Sequence, residues 1–197
     1  MSRIVILFVL LLVFDARAEV QIEEAGQRTT FQAKTASTAY EMRELRRMGV
    51  GAGVAGVYGI TGVHLELNLN PKISPQIGFG LSTEFQTFHI QIKRIFGGES
   101  ILPYLAVGYA RWSNNGEQAG GIDKTNPGFV AEQFMSEEEK KKGIVDSHLI
   151  YPAAGVQYLV LNGPWAGVGV SAEVDVLVEV DSLEAAATGS IAGTYYF

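Results

Sequence analysis

The sequence contains no cysteine among its 197 residues. This absence excludes a disulfide framework and any metal site built on thiolates. A strongly basic surface is missing as well, because 15 Lys and Arg residues stand against 21 Asp and Glu residues. We therefore expect no nucleic-acid partner, since phosphate binding requires a basic face. Beyond residue 18 no apolar run approaches the roughly 20 residues of a transmembrane helix, so a helical membrane protein is excluded.

The longest apolar run lies at the amino terminus, from Ile4 to Phe14, and Arg3 precedes it. Asp15 and the sequence Ala16-Arg17-Ala18 follow, a pattern typical of a secretory signal peptide that is cleaved after Ala18. Without residues 1–18, which hold two Arg and one Asp, the chain has 13 basic and 20 acidic residues, a net charge of −7. An exported chain without disulfides is stabilised by a core or by a membrane. A soluble β-domain and an outer-membrane barrel are the two remaining classes.

Residues 19–47 are polar and mixed in character, and "YEMRELRRMG" is the one stretch with a helical pattern. We interpret 19–47 as a periplasmic lead-in with a short helix. Glu41, Arg46 and Arg47 would lie on its solvated face, and Tyr40 and Met48 would pack on the other side. The alternative is an amphipathic helix that rests on the membrane or plugs the barrel mouth.

From residue 48 onward apolar and polar residues alternate with a period of two, which indicates β-strands. In "VHLELNLN", for example, Val63 and Leu65 fall on one face while His64 and Glu66 fall on the other. The stretch "PKISP" interrupts the pattern, because proline has no N–H to donate to a sheet. The pattern predicts eight strands, at 49–58, 63–70, 76–85, 87–96, 101–112, 148–161, 165–181 and 187–197.

Strands of about 10 residues match the length that a tilted strand needs to cross a bilayer. Two further features favour a membrane barrel over a soluble sandwich. The predicted inner faces of the first and third strands are rich in glycine and alanine, which suits a crowded lumen. The connections after strands 2, 4 and 6 are short, whereas 113–147 is long and would lie outside. We predict an all-β fold, an eight-stranded antiparallel up-and-down transmembrane barrel over 48–197.

The sequence ends in "GSIAGTYYF". The spacing of Ser190, Ala192, Tyr195 and Phe197 resembles the carboxy-terminal signal that the barrel-assembly machinery reads in outer-membrane proteins, with Ala192 where glycine is usual. Over 48–197 the pattern resembles the small eight-stranded barrels of the OmpA-like and OmpW-like group, and no motif identifies a subfamily. The resemblance implies the outer membrane of a Gram-negative bacterium. It also implies four kinds of partner: periplasmic chaperones, the assembly machinery, outer-membrane lipid and lipopolysaccharide.

Inside such a barrel, polar residues of the alternating strands would share a narrow lumen, and Arg111 could join them. Unpaired charges in this space would be costly, so we expect a salt-bridged interior. Eight strands leave room for side chains and little else. A filled lumen is therefore expected, with a narrow gated channel for small solutes as the alternative. The residues assigned to the lumen network are His64, Glu66, Glu84, His89, Lys93, Glu173, Asp175 and Glu179.

Some small outer-membrane barrels are lipid A deacylases or palmitoyl transferases that use His with Ser or Glu, so a lipid A-modifying acyl enzyme is a further alternative. His148 follows Asp146 and Ser147, but the His-x-Ser-Asn type of arrangement seen in those deacylases is missing. We assign no catalytic residue, no cofactor and no metal site.

The sequence also indicates two features of the barrel's outer surface, a lipid-facing strand and a long connection. Its seventh strand turns a row of valines toward lipid, which are Val168, Val170, Val174, Val176 and Val178. The 113–147 connection is either a solvated loop or a site for a surface ligand, and Phe129, Phe134 and Met135 could anchor it over the barrel mouth. The function predicted from the sequence is that of a structural or surface-interaction protein.

Overall fold

The computed structural model describes residues 23–24, 27–28, 36–114, 133–135 and 137–197. The signal-peptide prediction, Phe129 and most of the 113–147 connection lie outside these residues. The chain divides into two compact units, Met1–Thr35 and Ala36–Phe197. In the first unit, β1 (Glu23–Glu24) pairs antiparallel with β2 (Gln27–Arg28).

Eight longer strands make up most of the second unit. They are β3 (Met48–Ala55), β4 (Thr61–Leu67), β5 (Ile73–Leu81), β6 (Gln86–Ile95), β7 (Ile101–Ser113), β8 (Asp146–Leu159), β9 (Val168–Glu179) and β10 (Ala185–Tyr196). Each strand pairs antiparallel with its neighbours in sequence, and β10 pairs with β3 to close the barrel. The predicted fold class, an eight-stranded antiparallel up-and-down barrel, is confirmed.

The strands are strongly staggered around the barrel. We start at Val50 on β3 and follow the paired residue on each successive strand around the barrel. The path passes through Ile90 and Val178 and reaches Ala185 on β10. On the closing pair of strands, Ser190 of β10 is paired with Ala55 of β3. Ala185 lies five residues before Ser190, so it is level with position 60 of the antiparallel partner. The path therefore returns ten residues beyond Val50, and this number is the stagger of the barrel. Such a stagger tilts the strands and sets a diameter at which side chains fill the interior.

Several details of the strands differ from the sequence prediction; residues 56–58, for example, form a 3₁₀ turn instead of the end of the first barrel strand. Pro75 lies within β5, opposite Ile92 of β6. The β4–β5 pairing ends at Glu66 and Gln76, so the missing N–H of Pro75 interrupts no ladder on that side. Glu84 belongs to the connection between β5 and β6 rather than to a strand, although its side chain is buried.

The short helix α1 (Ala39–Leu45) begins after Thr38, whose hydroxyl accepts a hydrogen bond from the N–H of Glu41 at 3.2 Å. It packs differently from the expectation, because Met42 and Arg43 are buried while Met48 is exposed. Arg43 contacts strands on opposite sides of the barrel, as described below. The helix α1 therefore plugs one mouth of the barrel.

A 3₁₀ turn, Gly56–Tyr58, enters the lumen from the opposite end and is called the inward turn. Val57 and Tyr58 are buried in it. The backbone reverses at Ala55 (φ 62°, ψ −173°) and Gly56 (φ 54°), and both have positive φ. A Cβ at Gly56 would lie 2.9 Å from Oδ2 of Asp175, so only glycine fits between this turn and β9.

The two ends of the barrel differ. The helix end holds α1 and the connections 68–72, 96–100 and 160–167. The loop end holds 56–60, 82–85, 180–184 and the described residues of the long connection, which are 114, 133–135 and 137–145. Within the long connection, α2 (Glu137–Lys142) forms where Glu and Lys residues are spaced three and four apart. None of the described helices is long and apolar enough to span a membrane.

Candidate functional site in the barrel lumen

The alternation of each strand turns one set of side chains into the lumen. The structure buries all eight residues that the sequence analysis assigned to the interior. Two come from β4, two from β6, three from β9 and one from the β5–β6 connection: His64, Glu66, His89, Lys93, Glu173, Asp175, Glu179 and Glu84.

Glu66 is the centre of a buried charge cluster near the helix end. Its Oε1 accepts a bond from Nη2 of Arg43 at 3.1 Å, and its Oε2 accepts one from Nζ of Lys93 at 3.0 Å. Lys93 also lies over the ring of Tyr104, with Nζ 5.3 Å from the ring centroid. One carboxylate thus meets two cations, and the cluster carries one net positive charge.

Arg43 spans the lumen from its position on α1. Its guanidinium donates to Ser74 Oγ of β5 at 2.8 Å, to Gln157 Oε1 of β8 at 3.1 Å and to Tyr196 Oη of β10 at 3.3 Å. Its Nε donates to the carbonyl of Pro71 at 3.2 Å. The side chain has no exposed surface, so the N–H donors of its guanidinium find their hydrogen-bond acceptors inside the protein. Arg43 closes the helix end of the barrel.

The sequence analysis missed Arg43 as a lumen residue. It lies in a basic stretch, Arg43 to Arg47, that appeared solvated as a whole. Its position relative to Ala39 gives a signal: Met42 and Arg43 follow Ala39 by three and four residues, and residues at these spacings lie on the same side of a helix. Ala39 and Met42 are both buried beside it.

A second polar group occupies the middle of the lumen around Tyr58 of the inward turn. Nε2 of Gln76 donates to the Tyr58 hydroxyl at 2.9 Å, and that hydroxyl lies 3.0 Å from Nδ1 of His64. On the other side of the imidazole, Nε2 of His64 lies 2.9 Å from Thr194 Oγ1. The ring edge of His89 packs against Tyr58 with centroids 4.8 Å apart.

Glu173 and Asp175 project from β9 into the same region. No described donor lies within hydrogen-bond distance of either Asp175 oxygen or of Oε2 of Glu173. Within the described part of the chain, no group of three or more His, Cys, Asp or Glu side chains could hold a metal ion.

Apolar side chains close the lumen at the loop end. Phe85 stacks on Trp112 with ring centroids 4.9 Å apart, and Phe134 meets Trp112 edge-on at 6.2 Å. Met135 and Val145 are buried beside them. Phe134 and Met135 thus lie where the sequence analysis expected them to anchor the long connection.

Two further residues that the sequence analysis considered, Arg111 for the lumen and His148 for an acyl enzyme, face outward. Arg111 is exposed and pairs with Asp146, Nη2 lying 3.0 Å from Oδ1. It is therefore not a lumen residue, because β7 turns its odd-numbered positions outward here. His148 also lies on the outer face, and its Nδ1 is 2.7 Å from the Tyr109 hydroxyl.

The predicted surface residues have clear positions. On β9, Val170, Val174 and Val176 are exposed, while Val168 and Val178 are half-buried. At the carboxy terminus, Ser190 and Ala192 face the lumen, and the rings of Tyr195 and Phe197 stack outside it at 6.5 Å.

Neither a protein-family model nor the sequence of a characterised protein matches the chain. Solved structures do match. The amino-terminal β-barrel domain of Pseudomonas aeruginosa OprF is 12% identical, with a TM-score of 0.55 over 77% of this chain and 98% of that one. The Yersinia pestis outer membrane protein Ail is 11% identical, with a TM-score of 0.42 over 77% and 99%. The resemblance stated from the sequence is confirmed for the fold: the chain is a small eight-stranded antiparallel barrel with the fold of the OprF domain.

Proposed function

We propose that this chain is an outer-membrane protein of structural or surface-interaction type. The barrel would anchor it in the membrane, and the connection between β7 and β8 would be presented at the cell surface. The observation that carries the proposal is the combination of an apolar exterior with a polar lumen that side chains close at both ends.

The exterior supports a membrane location. On the outward faces of the eight barrel strands, Lys, Arg, Asp and Glu side chains occur at three positions, which are Arg94, Arg111 and Asp146. All three lie within the first or last three residues of their strands. The surface between them is built from Val, Leu, Ile, Phe and other uncharged side chains, as expected for a band in contact with hydrocarbon.

The lumen supports an anchor rather than a channel. Arg43 and Glu66 fill the helix end, the inward turn crosses the middle, and Trp112 and Phe85 cover the loop end. The channel alternative would require α1 or the inward turn to leave the lumen. For an acyl enzyme, His148 would need a nucleophile, and its described partner is the Tyr109 hydroxyl.

Fractionation and gel migration test the membrane location. We expect the protein in the outer-membrane fraction, and we expect an unheated sample to migrate differently from a boiled one. Soluble protein in a periplasmic extract would overturn the proposal.

Planar-bilayer recordings test the closed lumen. The wild-type protein should give no steady single-channel conductance, and Arg43→Ala, which removes the side chain across the helix end, should give more current than the surface variant Glu44→Ala. Steady wild-type conductance would favour the channel. Altered lipid A acylation in a deletion strain would favour the enzyme.

A further inference from the structure

An apolar groove of about 620 Å³ crosses the exterior of β3 to β7. Its floor is bare backbone, formed by five residues level with one another: Gly49, Glu66, Gln76, Gln91 and Gly108. The Glu and Gln side chains turn inward, and the two glycines have no side chain. Five strands at the usual spacing make the groove about 19 Å long.

Two rows of outward side chains form the walls of the groove. The wall nearer the loop end consists of Leu65, Ile77, Ile90 and Tyr109, and the wall nearer the helix end consists of Met48, Leu67, Pro75, Ile92 and Val107. Since the strands are tilted, the groove rises obliquely from the helix end at β3 toward the middle of the barrel at β7. It has the shape and polarity of a site for one acyl chain.

Three exposed cations border the groove on its helix-end side. Arg94 lies on the outward face of β6, two residues beyond Ile92, and is the one charged side chain on the outward faces of β3 to β6. Lys72 lies beside it, since its carbonyl accepts the Ile95 N–H at 2.8 Å. Arg47 precedes Met48 at the β3 end of the groove.

These cations differ from the other outward-facing arginine. Arg111 is paired with Asp146, whereas Arg47, Lys72 and Arg94 form no ion pair with a described residue. A cation on the lipid face of a barrel is destabilising unless it lies at the interface, where anionic groups can neutralise it. The groove thus offers an apolar surface for the acyl chain of a lipid and positive charge for the lipid's head group.

We propose that this surface binds an anionic phospholipid, with one acyl chain in the groove and its phosphate at Arg94 and Lys72, assisted by Arg47. The inference rests on the proposed membrane location, which places the helix end at the periplasmic side and the lipid in the inner leaflet. A zwitterionic phospholipid would fill the groove equally well and has the same phosphate, but its ammonium group offsets the negative charge and weakens the attraction to the three cations.

Native mass spectrometry of the refolded barrel, released from mixed micelles, tests the proposal. The probes are phosphatidylglycerol and phosphatidylcholine with identical acyl chains at equal mole fraction. We expect the wild-type protein to retain phosphatidylglycerol preferentially, by roughly fivefold for each cation that contacts the head group. The triple variant Arg47→Gln, Lys72→Gln, Arg94→Gln should lose this preference.

A matched triple variant removes the same charge from the other end: Arg111→Gln, Lys141→Gln and Lys142→Gln. It should keep the wild-type preference. The substitutions Ile77→Ala and Ile92→Ala shorten the side chains that form the walls of the groove, and they should reduce the retention of both lipids. The substitutions Val170→Ala and Val174→Ala on β9, outside the groove, should leave retention unchanged.

Equal retention of the two lipids by a folded wild-type barrel would overturn the inference, as would an equal loss in both triple variants. Folding is checked first by heat-dependent gel migration, and Arg94→Gln alone replaces the triple variant if that variant does not fold. A wild-type chain that does not fold in lipid would overturn the membrane proposal itself, so the two failures are distinguishable.

Discussion

At the scale of single residues, the interior is stabilised by buried charged side chains that form ion pairs with one another. Glu66, Arg43 and Lys93 are buried together and linked at 3.0 to 3.1 Å. The desolvation of such groups is offset only while every partner is present, so loss of one partner costs more than the net contribution of the cluster. The cluster therefore favours one arrangement of α1 inside the barrel.

Replacing Glu66 should be strongly destabilising. Glu66→Gln leaves two buried cations without a counter-charge, and we expect the free energy of unfolding to fall by about 3–5 kcal/mol. Urea unfolding of the protein in lipid vesicles, followed by tryptophan fluorescence, measures this change. Glu44→Gln on the exposed face of α1 should change it by less than about 0.5 kcal/mol. The Arg43→Met, Glu66→Gln double variant should lose less than the sum of its single changes, and strict additivity would contradict the coupling.

The inward turn provides a second residue-scale prediction. Ala55 has φ 62° and ψ −173°, a backbone region that is essentially restricted to glycine and costs other residues about 1–3 kcal/mol. Ala55→Gly should therefore raise the free energy of unfolding by roughly 1 kcal/mol after the added chain entropy is subtracted. Ala52→Gly, in the regular part of β3, should lower it by about 0.5–1 kcal/mol. Destabilisation in both variants would show that the turn has another conformation.

At the scale of elements, the strands could be predicted from the sequence. The insertion of α1 into the barrel was only one of the interpretations that the sequence left open, and the inward turn was not predicted. Alternation with period two places Val174 and Glu173 on opposite faces without any knowledge of the partner strands. The assignment of Val174 to the outer face follows only when the barrel is taken as a membrane barrel. The helix α1 has seven residues, too few for a clear periodicity, and its buried face includes an arginine. The inward turn depends on positive φ at Ala55 and on its fit against β9, which local sequence does not reveal.

The outward face of β9 gives a prediction for this element. Val174 is exposed at the middle of a row of valines, so we expect it to contact lipid. Val174→Arg should lower the folding stability in vesicles by about 2–4 kcal/mol, because an arginine near the bilayer midplane must be desolvated. Folding yield is measured beside Val174→Leu. Equal yields for the two variants would show that this face does not lie in lipid.

At the scale of the whole molecule, the barrel is closed at one seam, between β10 and β3. The seam extends to Phe197, whose N–H donates to the Met48 carbonyl at 2.8 Å. Nη1 of Arg46 donates to the carbonyl of Tyr196 at 3.0 Å, and its guanidinium lies 6.0 Å from the Tyr195 ring centroid. The carboxy terminus is thus structural through its backbone, which leaves its outward rings available for another role.

The last prediction separates assembly from packing at this terminus. Phe197→Gln keeps the backbone bonds of the seam and removes only the outward ring, whose side chain is 56% exposed. If Ser190, Ala192, Tyr195 and Phe197 form an assembly signal, this variant should insert poorly into the outer membrane of cells. Its refolding into synthetic lipid should be nearly unchanged, because one interfacial aromatic ring adds little stability.

Tyr158→Gln serves as the control and should insert normally. Tyr158 is another exposed aromatic residue on an outward strand face near the helix end. If the ring serves packing instead, insertion in cells and refolding in lipid should fall together, and normal insertion of Phe197→Gln would refute the signal.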